Sequence, residues 1–447
     1  MNIAIIGGGL SGLLCALMLE KQGHNTTIYE KLNKVGGVLD SFKRKKILFD
    51  VGFHYSGALA SGQYLYKSMQ NLGLLKDLKL QKYDNEFDTL HIDNEVFLIS
   101  EGSSKFESSL IERFPHEEQN IKNFFTTCYE SSTISSDPES FVKVDSRSLK
   151  DVMINIQDKL LRKVFLHFTV FYTSAFYEDA SFDFYAKIFI NMLDGTRKVE
   201  NGGGAIVSAL KNALKSTTIK IKSEISEIIK ENNEAKALVC NGETFEYDSI
   251  ISTIHPKKTM LMFNEFDKKL SRYKKHIDDL EESPSFFSIF CLIDADIKSN
   301  MYFYGEKPED FISVLPSRTY NGKTVATILA GSYYDDYANL SKEEYKELKE
   351  KECKKHLNRL NSLYDFGSIE VYDSSTPLTK QHYSSGINGS LYGIMCSAKQ
   401  KSLSVLMPRT RVKNLYFAGE NIIAPGLIGA FLGAEILMNY FKEKDYA

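Results

Sequence analysis

The chain has 447 residues, long enough that one hydrophobic core is not expected to serve all of it, so two domains interleaved in sequence are the natural expectation. A formal net charge of −3 excludes a bulk electrostatic reason to bind nucleic acid or an anionic membrane, and no apolar run reaches the roughly 20 residues of a membrane span. Six cysteines lie scattered without a Cys-x-x-Cys pair, which argues for reduced thiols in a cytoplasmic compartment and against a metal centre.

The first 30 residues read as a strand, a glycine turn, a helix and a second strand. Ile3, Ala4, Ile5 and Ile6 form a short apolar run, the pattern of a strand buried on both faces of a parallel sheet. Gly7 to Gly12 follow as Gly-x-Gly-x-x-Gly, and Leu13, Leu14, Ala16, Leu17 and Leu19 give helical spacing toward Gly23. A strand over residues 26–29 then delivers Glu30, at the offset of roughly 20 residues where an acid accepts ribose hydrogen bonds. Gly7 makes the tight turn, Gly9 lets backbone approach a pyrophosphate, and Gly12 lets helix pack on strand, while the helix N-terminus attracts phosphates. The apolar start is not read as a secretory leader, because no Lys or Arg precedes it and three glycines interrupt it.

Gly36 and Gly37 come just beyond Glu30 and let backbone pass a second part of a cofactor, which a simple nicotinamide site does not require and which points to FAD. Residues 47–57 read as a strand ending in a glycine-flanked His54-Tyr55 pair. Residues 87–99 alternate as a hairpin turning at Asp93-Asn94. Residues 105–113 read as a helix broken at Phe114-Pro115, and 116–129 as the next, with His116, Glu117 and Glu118 as its solvated first turn.

Residues 149–177 read as one helix carrying Phe165, Phe168, Phe171, Tyr172, Phe176 and Tyr177, and Phe182, Phe184, Tyr185 and Phe189 continue the aromatic density. Such a stripe serves either as core or as the wall of an apolar cavity, and the residues alone leave both open. Gly202 to Gly204 open another helix with Ile206, Leu210 and Leu214 at helical spacing. Strand patterns at 219–229, 243–247 and 249–253 would rejoin the first domain, while those at 286–293, 301–304, 311–315 and 325–331 belong to a mostly antiparallel sheet. Ser341 and Glu344 form a capping box for a long charged helix over 341–363. Near the end, a strand over 414–418 runs into Gly419-Glu420, and Pro425 to Ala430 open a helix whose N-terminal partial positive charge suits the pyrimidine side of a flavin. Reading Gly426, Gly429 and Gly433 as a membrane or dimerisation face is less favoured without a spanning segment.

These stretches together resemble the FAD-dependent phytoene-desaturase-like oxidoreductases, and within them the branch of retinol saturase and carotenoid cis-trans isomerase. The resemblance rests on Gly7 to Gly12 with Glu30, Gly36-Gly37, the segment Phe49 to Gly57, Phe114 to Glu118, and Gly202-Gly203. It continues through Thr376 to Thr379, Gly389 to Gly393 and Leu415 to Gly433. Val38 stands where many flavin amine oxidases carry Arg, which weakens the amine-oxidase reading.

The resemblance implies a two-domain α/β flavoprotein. Its discontinuous Rossmann-type FAD domain would span 1–62, 195–255 and 400–447, and its mixed α+β substrate domain, with a mostly antiparallel sheet, 63–194 and 256–399. The implied cofactor contacts are Gly7, Gly9, Leu10, Ser11, Gly12, Glu30, Lys31, Gly36, Gly37, Val38, His54, Ile225, Gly419, Glu420, Gly426, Leu427 and Ile428. The implied activity is saturation, desaturation or isomerisation at a carbon–carbon double bond of a polyene or isoprenoid. No second dinucleotide fingerprint is evident, so no stable NAD(P)H site is expected. His54 and Tyr55 are the candidate proton-transfer residues, with Tyr392 in reserve, and packing beneath the flavin is the alternative role for the pair. The competing functions are a flavin amine oxidase and a redox-inactive flavin-binding protein. An apolar substrate held in a bilayer also implies peripheral membrane contact, for which the helices over 149–190 and the flanking Arg162, Lys163 and Lys187 are the candidates.

Overall fold

Two sheets organise the chain in the computed structural model, which describes residues 1–137, 146–175, 179–305, 310–384, 386–403 and 406–442. The first is wholly parallel, in the order Leu415–Phe417, Ser249–Ser252, Asn2–Ile6, Asn25–Tyr29 and Thr218–Lys220. Ile3, Ala4 and Ile5 are fully buried at its centre, as a continuous apolar run requires. The helix Leu10–Lys21 follows the glycine turn, and the helix Gly426–Lys442 packs beside it. A small antiparallel sheet, Ile225–Glu231, Glu234–Cys240 and Glu243–Glu246, lies between two of the parallel strands in sequence.

The second large sheet has seven strands in the order Ile369–Ser375, Ser285–Ile293, Lys323–Ser332, Phe311–Tyr320, Asn300–Tyr304, Glu86–Ile92 and Glu95–Ser100. All its pairings are antiparallel except Glu86–Ile92 beside Asn300–Tyr304. The charged helix Lys342–Leu363 packs on it through Leu360, and the Ser341–Glu344 capping box forms as expected. Asp93 (φ 50°) and Asn94 (φ 65°) make the hairpin turn read from the sequence, both in the left-handed region a two-residue turn demands.

Several local expectations are corrected. The helix expected over 149–177 is divided into Leu149–Val152 and Lys159–Thr173, because Asp158 caps the second piece by accepting from the Leu160 and Leu161 amides. Phe168 departs from helical geometry within that piece (φ −80°, ψ 15°). Phe176 and Tyr177 lie outside the described residues, as do the side chains of Phe171 and Tyr172. The strand expected over 219–229 is two strands of different sheets, parted by a turn at Lys222 (φ 52°). The strand Glu234–Cys240 was not anticipated; Asn232 and Asn233, at φ 48° and 62°, fold it back on its neighbour. Glu117 is 2% exposed rather than solvated. Its carboxylate accepts from the Gln157 and Asp158 amides and from Asn120, clamping the entry to Lys159–Thr173.

The described rings of the aromatic stripe are core. Phe165, Phe168, Tyr185 and Phe189 are fully buried and pack ring against ring with one another and with Phe106, Phe124 and Phe125, and Phe182 is fully buried beneath Arg147. These rings therefore form no apolar mouth. Of the basic residues expected to flank one, Arg162 donates to the Met153 and Ile156 carbonyls and buried Lys187 pairs with Asp183, while Lys163 makes a surface ion pair with Asp93. Among the described residues no helix is long and apolar enough to cross a membrane.

Candidate flavin site and its buried proton network

The glycine turn is held from three sides. The Gly7 amide donates to the Tyr29 carbonyl at 2.9 Å, and the Gly36 amide donates to the Gly8 carbonyl at 2.8 Å. The Glu30 carboxylate accepts from the Gly8 amide through Oε2 and from the Leu32 amide through Oε1, each at 2.8 Å. A Cβ on Gly12 would lie 2.0 Å from the Gly7 carbonyl oxygen, so only glycine lets helix and strand meet there. Gly9 differs: a Cβ there would have nothing within 4 Å. No side chain caps the helix that follows, whose first amides have no intrahelical partner.

The other residues named from the sequence gather around this opening. Leu10, Ser11, Lys31 and Val38 are half-buried along it, and Gly37 lies against Gly9, where a Cβ would come 3.2 Å from the Gly9 Cα. Gly419 (φ 118°) faces Ser11, at 3.2 Å from a notional Cβ to the Ser11 Oγ. The amides of Lys222 and Ser223 donate to the carbonyls of Leu32 and Glu30, which brings buried Ile225 to the same end. Gly426 opens the C-terminal helix against the Tyr392 ring, with Leu427 half-buried and Ile428 buried. Beside it a small cleft of about 50 Å³ is lined by Ile394, Met395, Glu420, Asn421 and Pro425 among others.

Lys380, Glu420 and Tyr392 form a charged cluster there. Burial drives the Lys380 pKa down against the pull of nearby Glu420, and drives the Glu420 carboxyl up against the opposing Lys380 charge. Lys380 donates to the Leu391 carbonyl at 2.7 Å, and burial with the Glu420 charge pushes the Tyr392 phenol up.

His54 and Tyr55, adjacent in sequence, have opposite environments. Neither His54 ring nitrogen reaches water or makes a well-formed hydrogen bond, the Val51 carbonyl offering only a weak one. Burial lowers the His54 pKa from 6.5 to about 4, with Asp50 opposing and Lys198 assisting, so the ring is neutral near pH 7 and a poor proton donor. The Tyr55 hydroxyl, in contrast, donates to Asp88 at 2.9 Å and lies 2.6 Å from the Tyr302 hydroxyl. Asp88 and His167 are wholly enclosed, with the His167 Nε2 3.0 Å from the carboxylate and its Nδ1 2.6 Å from the Tyr304 hydroxyl. Asn300, opposite Asp88 in the parallel pairing, donates to the carboxylate at 2.8 Å.

Neutral His54 makes a stability prediction. Between pH 4 and 6.5 the unfolded chain binds more protons at this residue than the folded one, so stability rises with pH across that window and falls on acidification. The full shift is worth at most about 3 kcal/mol. Burial also lowers His356 to about 4. Burial lowers His91 as well, so His54→Gln is expected to remove part of the histidine-derived slope in urea unfolding from pH 4 to 6.5 and leave the rest. An unchanged slope would contradict the assignment.

Residues 10–433 match the family described as flavin containing amine oxidoreductase. The chain belongs to that family. FAD is accordingly the cofactor of this flavoprotein. Among curated relatives it is 23% identical to all-trans-retinol 13,14-reductase of Danio rerio, over 97% of this chain and 84% of that one. It is 24% identical to prolycopene isomerase 2, chloroplastic, of an Oncidium hybrid cultivar, over 98% and 84%. In structure it resembles an oxidoreductase of Methanosarcina mazei (TM-score 0.73, 17% identity, 98% of this chain and 100% of that one). It also resembles putrescine oxidase bound to putrescine (TM-score 0.67, 13% identity, the whole of both chains). These structural likenesses establish a flavin amine-oxidase-type α/β fold.

The residues present fit FAD. Open space over Gly9, an uncapped helix start and half-buried Leu10 leave room at the glycine turn for a pyrophosphate. The sequence reading missed Asp88, His167, Asn300, Tyr302, Tyr304 and Lys380. Asp88 carried little signal, because its strand Glu86–Ile92 also holds Glu86, Thr89 and His91. His167 carried none, being one polar residue inside an aromatic stripe.

Proposed function

We propose that this flavoprotein acts on a carbon–carbon double bond of a long apolar polyene or isoprenoid, by saturation, desaturation or isomerisation. The observation that carries the reading is the Tyr55 hydroxyl, held by an enclosed acid next to the His54 segment, which offers a proton where a double bond needs one. The full-length similarity to a retinol reductase and a prolycopene isomerase supports it. An ammonium substrate would need an uncommitted carboxylate, whereas Asp88 is held by Tyr55, His167 and Asn300, Asp50 by Arg318 and Ser41, and Glu420 lies beside Lys380. That arrangement disfavours the amine-oxidase alternative.

In this reading the segments 1–62, 195–255 and 400–447 bind the cofactor and 63–194 with 256–399 bind the substrate. Gly7, Gly9, Leu10, Ser11 and Gly12 hold the pyrophosphate, Glu30 the ribose, and Gly36 to Val38, His54, Gly419, Glu420, Gly426, Leu427 and Ile428 the flavin, with Lys31 and Ile225 at the adenosine end. When bound, FAD supplies hydride exchange. The protein's share is to orient the polyene, exclude water and exchange a proton through Tyr55, with Tyr392 in reserve. A substrate dissolved in bilayer calls for peripheral membrane contact, made elsewhere than through the buried rings of Lys159–Thr173 and Phe182–Gly195.

Glu30→Ala removes a charged acceptor, and FAD is expected to bind about 10- to 100-fold more weakly, from roughly 1.5 to 3 kcal/mol for a charge-assisted contact. Titration of apoprotein measures it, and unchanged affinity would refute the ribose assignment. The substrate class is tested by mass spectrometry of apolar molecules that co-purify, alongside peroxide release with putrescine and cyclohexylamine. A bound polyene with no amine turnover is expected. Steady amine oxidation would overturn the reading.

A further inference from the structure

We propose that Asp88 and His167 are positioning residues forming an enclosed relay that holds the proton Tyr55 exchanges with the substrate. This rests on the proposed double-bond chemistry and says how the protein serves it. The hydrogen bonds order themselves in one direction. In the proton-loaded state Tyr302 donates to the Tyr55 oxygen, Tyr55 donates to Asp88, and a doubly protonated His167 donates its Nε2–H to the same carboxylate and its Nδ1–H to the Tyr304 oxygen, so that releasing one proton leaves a neutral imidazole beside the carboxylate. Each link is between 2.6 and 3.0 Å.

A tyrosine beside a lone carboxylate is a poor acid, because losing its proton would set two negative charges together. The relay removes that obstacle. As the Tyr55 O–H bond breaks and its proton passes to one alkene carbon, a proton held by the Asp88–His167 pair re-forms the O–H bond, so no phenolate accumulates. Reduced FAD, when bound, would supply the hydride and its electron pair for the neighbouring carbon, which balances a two-electron reduction of the double bond. In desaturation every transfer runs backward: the carbon gives its proton to the Tyr55 oxygen and Tyr55 gives its own to the pair.

The location suits the task. Asp88 enters from the sheet, His167 from the helix Lys159–Thr173 just before the break at Phe168, and Tyr55 from the loop that also carries His54. Three elements far apart in sequence converge on one carboxylate. Among the described residues the other titratable groups facing it include Tyr83 and Tyr304, both pushed up by burial with the Asp88 charge assisting, Tyr302, and Lys198, lowered by burial to about 8 against the pull of Asp88. His54 feels the Lys198 charge and stays neutral above about pH 4.

The test uses holoenzyme labelled with ¹⁵N-histidine, with His167 assigned by the loss of its signals in His167→Gln. Asp88→Asn removes a carboxylate 3.0 Å from the ring and is expected to lower the His167 titration midpoint by a pH unit or more. Tyr55→Phe removes a donor from Asp88, makes the carboxylate more basic, and is expected to raise that midpoint. These opposite movements test the hydrogen-bonded links themselves, and an unchanged midpoint in either variant overturns the relay whatever the substrate proves to be.

In parallel, photoreduced holoenzyme is mixed anaerobically with all-trans-retinol in detergent micelles. Wild-type reoxidation is expected to slow as pH rises and the pair loses its proton. His167→Gln is expected to be 10- to 100-fold slower with that pH limb flattened, while FAD content stays normal. A His167→Gln enzyme with wild-type rate and wild-type pH dependence overturns the proposal. Opposite NMR shifts without any reoxidation by the polyene would support the relay and count instead against the proposed substrate class.

Discussion

Tyr55→Phe is expected to slow single-turnover reaction of a polyene by roughly 10²- to 10⁴-fold, the range general acid–base catalysis contributes, while FAD content stays at wild-type level. The phenyl ring keeps the packing against Tyr83, whose ring centroid lies 6.2 Å away, so the loss is of the hydroxyl alone. It also removes one donor from a carboxylate that is fully buried, which costs about 1 to 3 kcal/mol of stability. His54→Gln is expected to do far less to the rate, because a ring neutral near pH 7 has no proton to give. Rapid mixing of photoreduced protein with substrate, read at the flavin absorbance, separates the two. Full activity in Tyr55→Phe would remove this hydroxyl from the chemistry and return the segment to a packing role.

The second large effect concerns the glycine turn, where two substitutions of the same size should diverge. Gly12→Ala would place a methyl 2.0 Å from the Gly7 carbonyl oxygen and 3.1 Å from its carbon. Neither atom is the end of a flexible side chain, so the first strand or the helix has to shift, at a cost of about 1 to 3 kcal/mol or more. A colourless protein with a lowered thermal midpoint is expected. Gly9→Ala has φ −72° and open space around its methyl, so the chain should fold with normal stability yet bind FAD weakly, because the methyl occupies the path of close backbone approach to pyrophosphate. Calorimetry of the apoproteins and flavin titration measure the two effects independently. Equal FAD affinity in Gly9→Ala and wild type would contradict the pyrophosphate assignment.

How much of this was legible in the sequence follows from how local each feature is. The parallel strand, glycine turn, helix and acid lie within 30 consecutive residues, and each leaves a pattern in composition and spacing. Ser341 with Glu344, and Asp93 with Asn94, were legible for the same reason, since a cap or a two-residue turn is complete in itself. The proton network is not local. Tyr55, Asp88, His167 and Asn300 meet only because a parallel pairing sets Asn300 beside Asp88 and the middle of the helix Lys159–Thr173 brings His167 against it. Glu117 shows the converse, since its position at a helix start looked solvated until the chain from Asn155 to Asp158 closed over it. The aromatic stripe marked burial correctly but could not say whether the buried faces meet a ligand or each other; here they meet each other.

The central claim, flavin chemistry at a carbon–carbon double bond, is tested most directly by one anaerobic mixing experiment. Holoenzyme reduced by light is combined with all-trans-retinol or prolycopene, the flavin absorbance is followed, and the extracted lipid is weighed by mass spectrometry and resolved for geometric isomers. The account predicts that a polyene reoxidises the flavin in step with a gain of two hydrogens, or is isomerised only while the flavin is reduced. Reduced flavin that stays reduced before every polyene, in a protein whose oxidised flavin is bleached by putrescine or cyclohexylamine, would contradict it.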